Sequence, residues 1–175
     1  MVGLRGAGVI PWQLNESFPN AWCTSAVDWH GEPKPAYHGV ARAYHGAPSA
    51  QFATCAWGGL GEVRALVDAP ARLYDLDGCV VAEDDHEVHA PLDAFAHDMF
   101  VLDVGGVNRY VMSRTENLAP LLDLPPAELV LAGGVLRNVA AVAAIGVVAD
   151  DVIDLLPGEE RTISVDGAEG WNARV

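Results

Sequence analysis

The sequence predicts a mainly β protein: a strand, loop and helix unit, then two runs of short antiparallel strands. Three observations carry this. Tyr37, Val40, Ala41 and Tyr44 recur at helical spacing. From Gln51 onward the apolar period falls to about two. Clusters of Gly, Asp, Pro and Asn separate the strand-length segments at short, regular intervals.

Taken in order, Val2 to Leu14 reads as one apolar strand ending in a cluster of hydrogen-bonding side chains, and the segment up to Gly31 is loop-like. A helix follows. Pro33 and Pro35 suit its first turn, Gly46 is placed to stop it, and His38, Arg42 and His45 share the face opposite the apolar one. A strand, loop and helix cannot bury their own faces, so this unit needs a neighbour.

Strands are expected at Gln51 to Trp57, Glu62 to Val67, Ala71 to Leu76, Cys79 to Glu83, Glu87 to Ala90, Met99 to Val104 and Arg109 to Met112. Asp77-Gly78 signals a hairpin, because a tight turn demands the positive φ that Gly tolerates. This spacing indicates an immunoglobulin-like sandwich. Asn117 to Pro126 reads as a linker lying against the surface. Beyond it, Ala127 to Leu131, Leu136 to Val148, Val152 to Leu155 and Arg161 to Val165 form a second set, abbreviated against the ~100 residues such a sandwich usually takes. The expected domains are therefore 1–46, 47–124 and 125–175.

Composition narrows the function. The 175 residues are 51% hydrophobic and carry ten Lys and Arg against 24 Asp and Glu, a formal charge of −14. Such a surface repels phosphate backbones and anionic lipid, which argues against nucleic acid and membrane as partners. Cys23, Cys55 and Cys79 are widely spaced and form no C-x-x-C pair, so a reducing, cytoplasmic setting is expected. No stretch approaches the ~18 apolar residues of a membrane span.

Among candidate site residues, Trp12, Gln13 and Asn15 occupy the end of the first strand, where a buried parallel strand presents side chains to a ligand. Trp12 offers a flat face to sugar C–H groups and an N–H donor; core packing is the competing reading. Asp84, Asp85, His86 and His89 contain metal-ligand types, as do His38 and His45, but solvated turn and helix faces explain both sets. The same explanation covers His97, Asp98 and Asp103. The glycine clusters Gly58-Gly59 with Gly61 and Gly133-Gly134 read as turns, without the context of a dinucleotide cradle. Neither a cofactor nor a metal is expected.

The pattern Trp12-Gln13-Leu14-Asn15, then Phe18-Pro19, Ser25-Ala26-Val27-Asp28 and Lys34-Pro35-Ala36-Tyr37 resembles the close of the catalytic barrel in glycoside hydrolase family 2, the β-mannosidase-like branch in particular. Two further segments are similar to entries of that family's later sandwich domains: Arg72-Leu73-Tyr74-Asp75-Leu76-Asp77-Gly78 and Asp154-Leu155-Leu156-Pro157-Gly158-Glu159. The resemblance implies a retaining exo-β-glycosidase acting on terminal β-mannosides or related β-glycosides with two glutamates. In the family, both precede the segment matched here. Residues 1–46 would then be the last βα unit of a (β/α)8 barrel, and Trp12, Gln13 and Asn15 part of the sugar subsite.

On this resemblance the chain has no catalytic residue of its own. Asn15-Glu16 mimics the family's acid/base pair, but the flanking Trp12 to Leu14 and Phe18-Pro19 match the eighth strand instead. The alternative is a non-catalytic sandwich module that binds carbohydrate or a protein, with Trp57 or Trp171 as its platform. If no neighbour covers Leu14, Tyr37, Val40 and Tyr44, self-association is expected.

Overall fold

The structure, a computed structural model, describes residues 14–15, 25–52, 60–115, 117, 119–148 and 152–163. The strand expected before Leu14 lies outside these residues, as do Trp22, Cys23, Cys55, Trp57, Trp171 and Glu16. The chain divides into two compact units, Met1–Gly46 and Ala47–Val175.

In the first unit the expected helix forms as α1, Pro35–Tyr44. Pro35 sits at its start, where a missing N–H costs nothing, and Gly46 follows with φ 72°. Neither face is buried. On the apolar one Val40 and Ala41 are half-buried while Tyr37 is 43% and Tyr44 65% exposed; on the other His38 and Arg42 are half-buried and His45 is exposed. Periodicity fixes which side chains share a face, but the surroundings decide how far that face is covered.

The second unit begins with the strands β1 (Ala50–Phe52), β2 (Glu62–Val67), β3 (Ala71–Asp75), β4 (Val80–Asp84), β5 (Glu87–Pro91), β6 (Met99–Val104) and β7 (Asn108–Ser113). They form two antiparallel sheets, in the orders β1-β2-β5 and β4-β3-β6-β7. Alternation assigns the faces. Val63 and Ala65 of β2 and Val88 and Ala90 of β5 point inward, while Arg64 and His89, paired across the strands, point out. The inner faces of both sheets share one core with Leu73, Phe95, Phe100, Leu102, Val104 and Met112. Phe95 and Phe100 stack there at 4.4 Å.

β6 is buried along its whole length, unusual for an antiparallel strand, which commonly has one wet face. Phe100, Leu102 and Val104 belong to the first core. Met99 and Val101 turn the other way, into a second cluster with Leu76, Ala143 and Leu156. At about 1.5–3 kcal/mol for each large apolar side chain removed from water, burial on both faces makes β6 a main source of stability.

The segment expected as a linker forms a 3₁₀ turn at Ala119–Asp123, and Leu121 and Leu124 pack on that second cluster. The remaining strands are β8 (Leu129–Ala132), β9 (Val135–Asn138), β10 (Ala144–Val148), β11 (Val152–Leu155) and β12 (Glu160–Thr162). They make a three-stranded sheet, β12-β9-β8, and the pair β10-β11, both antiparallel. Gly133 and Gly134, at φ 59° and 77°, are the two-residue loop between paired Ala132 and Val135, where a primed turn needs positive φ twice.

One expected strand is corrected. Leu136 to Val148 is two strands, not one. Asn138, fully buried, donates from Nδ2 to the carbonyls of Val142 and Leu155, both at 2.9 Å, while its Oδ1 accepts from the Ala140 N–H at 3.0 Å. That side chain replaces ladder bonds and turns the backbone inside a run that looks continuously apolar.

Candidate functional site

The first expected site lies at the end of the N-terminal strand. Trp12 and Gln13 lie outside the described residues. Asn15 forms an isolated parallel bridge with Val27, whose N–H donates to the Leu14 carbonyl at 2.8 Å. Val27 also bridges antiparallel to Pro33, around a turn held by Asp28: its Oδ1 accepts from the N–H groups of His30 (2.8 Å) and Glu32 (2.9 Å). Those N–H bonds, the Glu32 bond first, hold the Asp28 carboxyl below its ordinary range. Beneath it, Lys34 Nζ donates to the buried Ser25 Oγ at 3.1 Å. Asn15 is exposed.

The histidine and acidic sets act as turns. Asp84 Oδ1 accepts from the N–H groups of His86 (2.7 Å) and Glu87 (2.9 Å), which closes the β4 to β5 connection and lowers the Asp84 carboxyl, Glu87 contributing most. His86 Nδ1 meets the Asp85 carbonyl at 2.8 Å. Among the described residues no three His, Cys, Asp or Glu side chains are grouped to hold a metal.

The β3 to β4 hairpin carries a more structured cluster. Asp75, buried, places Oδ1 2.8 Å from the Leu76 N–H and 2.7 Å from His97 Nδ1, and Oδ2 2.5 Å from the Ala96 N–H. Its acceptors are thus occupied, and His97, partly exposed, is held through Nδ1. Asp77, next in the hairpin, accepts from the Cys79 N–H at 3.0 Å, the bond that does most to lower its carboxyl. Asp77 in turn pushes the Cys79 thiol up by hydrogen bond and charge, which disfavours the thiolate a nucleophile needs. The arrangement organises a turn rather than a reaction.

The two sandwich-entry motifs meet. Gly78 (φ 83°) lies so close to Pro157 that a Cβ would sit 3.2 Å from Pro157 Cδ. Leu76 and Leu156 share the second cluster, and the Ala143 N–H donates to the Leu76 carbonyl at 2.7 Å. Beside them Arg109 of β7 reaches three partners. Its Nε donates to Asp103 Oδ2 (2.8 Å), Nη1 to the Asp154 carbonyl and Glu159 Oε2 (both 2.6 Å), and Nη2 to Glu159 Oε1 (2.8 Å). Glu159 Oε2 also accepts from the Leu156 N–H at 2.8 Å.

Burial alone would push the Arg109 guanidinium down; its bonds to Glu159 and Asp103 outweigh this and hold it above its ordinary value. Burial likewise opposes the charge on Glu159, but the bonds from Arg109 and Leu156 keep that carboxyl below its ordinary range. Sequence reading singled out neither Arg109 nor Asn138, and treated Asp103 as a surface residue, whereas Asp103 is mostly buried against Arg109. A signal existed for Arg109: a cation inside an apolar strand of a chain this poor in cations calls for a buried partner.

Comparisons with known protein families, with curated proteins and with solved structures found no match to this chain.

Proposed function

We propose that this chain is the C-terminal portion of a retaining exo-β-glycosidase of the β-mannosidase type in glycoside hydrolase family 2. The observation that carries the reading is the parallel bridge of Asn15 with Val27, followed by α1. Among the described residues, every strand pairing from Ala50 onward is antiparallel, so the parallel bridge ahead of α1 sets this segment apart from the sheets that follow, which supports reading it separately from them. The orders β1-β2-β5 and β4-β3-β6-β7 support an immunoglobulin-like sandwich over 47–124, and the smaller sheets an abbreviated one after it.

In this role Trp12, Gln13 and Asn15 line the sugar subsite, while the acid/base and nucleophile glutamates belong to earlier barrel strands. The chain alone is catalytically silent, works in a reducing cytoplasm suited to its free Cys79, and self-associates through α1 when the barrel is missing. The test is hydrolysis of 4-nitrophenyl β-mannoside. We expect none from the 175-residue chain, and turnover with retained anomeric configuration once the upstream barrel is joined to it. Turnover by the chain itself that disappears in Glu16→Gln would overturn the proposal.

The exposed aromatics Trp29, Tyr37 and Tyr44 support a second reading, a non-catalytic carbohydrate-binding or protein-interaction module. Calorimetric titration with manno-oligosaccharides discriminates: heat saturating with ligand, lost in Tyr37→Ala, favours the module, and a flat trace removes its carbohydrate-binding form.

A further inference from the structure

We infer that Glu83, Arg72, Asp103, Arg109 and Glu159 act as one coupled charge row across the four-stranded sheet, with Asp103 as the anion its two cations share. The register puts four of them in line. Arg72 of β3 is the partner of Glu83 on β4 and of Asp103 on β6, and Asp103 is the partner of Arg109 on β7. The sign of the charge alternates at each step, and Glu159 continues the row beyond β7. All four strand residues lie on the outer face, because their neighbours Leu73, Ala82, Leu102 and Tyr110 pack on the core within.

Two links are direct: Arg72 Nε donates to Glu83 Oε2 at 3.0 Å, and Arg109 Nε to Asp103 Oδ2 at 2.8 Å. Between them Arg72 and Asp103 stand directly opposite, a position where Cβ atoms lie about 4.5–5.5 Å apart and opposite charges attract. The row runs from water into the protein. The side chains of Glu83 and Arg72 are 65% and 58% exposed, those of Arg109 and Asp103 only 20% and 11%. Solvent screens the outer end, so the coupling is strongest at Asp103. Its Oδ1 also fastens the β6 to β7 turn, accepting from the Gly106 N–H at 2.8 Å. The row supplies what hydrophobic alternation lacks. A slip of two residues keeps every side chain on its own face, so the apolar pattern tolerates it. Between β6 and β7 it would set Asp103 opposite Val107 or Val111 instead of Arg109, leaving a buried carboxylate without its cation on β7.

The test is a double-mutant cycle on the full chain, read as unfolding constants in urea, with Arg72→Met and Arg109→Met. The cycle cancels the bonds Arg72 makes to Glu83 and Tyr74. The two arginines stand two strands apart, and independent sites would multiply to within about twofold. A shared Asp103 predicts an unfolding constant for the double variant about three- to tenfold above the product of the single effects, since only there does Asp103 lose both cations. Arg64→Met with Arg109→Met is the control: it removes the same charge from a chain at −14, but from the other sheet, and should multiply. If the first pair is too unstable to fold, Arg72→Met is combined with Asp103→Asn, which keeps an oxygen for the Gly106 N–H; the loss of Arg72 then has about threefold less effect than in wild type. Simple multiplication for Arg72 with Arg109, an undiminished effect of Arg72→Met in the Asp103→Asn background, or the same excess with Arg64 would overturn the inference.

Discussion

α1 and β6 are the opposite extremes of this molecule. Every residue of β6 is buried, and none of α1 is. Both follow from sound local patterns, an apolar run and a helical stripe, but β6 is claimed from two sides by two cores, whereas Tyr37 and Tyr44 of α1 are exposed. A pattern states what an element could bury. Whether it does depends on what the rest of the chain brings to it.

The largest effect that would break this contrast is expected at the shared wall. Phe100→Ala removes a fully buried ring stacked on Phe95 and should cost about 3–5 kcal/mol in urea unfolding. Arg109→Met strands Asp103 and Glu159 without their cation, and a loss of about 2–3 kcal/mol is expected from charged hydrogen bonds at a half-buried site. Asn138→Ala leaves the Val142 and Leu155 carbonyls without their donor, at about 1–3 kcal/mol. At the other extreme, Tyr44→Ser on α1 should move stability by about 0.5 kcal/mol or less and reduce self-association in sedimentation velocity.

Acid sharpens the contrast further. The Glu159 carboxyl is lowered in the folded protein from an ordinary 4.5, so its contribution is complete above pH 4.5 and is lost as pH falls through the lower folded value. Urea midpoints of wild type and Glu159→Gln should therefore differ at neutral pH and converge on acidification below 4.5. A difference that stays constant with pH would remove Glu159 as the responsible group.

Much of the β architecture was legible because alternation is a local signal. β2 and β6 have the limits expected, and the hairpins at Asp77-Gly78 and Gly133-Gly134 fall where turn chemistry demands them. Leu136 to Val148 was over-read because a Val- and Ala-rich run conceals a turn made by one side chain, Asn138, whose partners are up to 17 positions away. The Arg109–Glu159 pair was invisible for the same reason: its members are separated by 50 positions. Of the expected sugar subsite, Asn15 is placed at a parallel bridge and exposed, and its strand neighbours Trp12 and Gln13 lie outside the described residues. The helix was read correctly in its limits, but neither of its faces is buried, since hydrophobic spacing carries no information about what covers a helix.

Limited proteolysis with chymotrypsin under native conditions tests the contrast most directly, because cleavage of a folded chain follows the ease of local opening. The account predicts first cuts at Tyr37 and Tyr44, leaving a resistant fragment that retains β1 to β12. First cuts at Tyr74, Phe100 or Tyr110, with α1 intact, would contradict it.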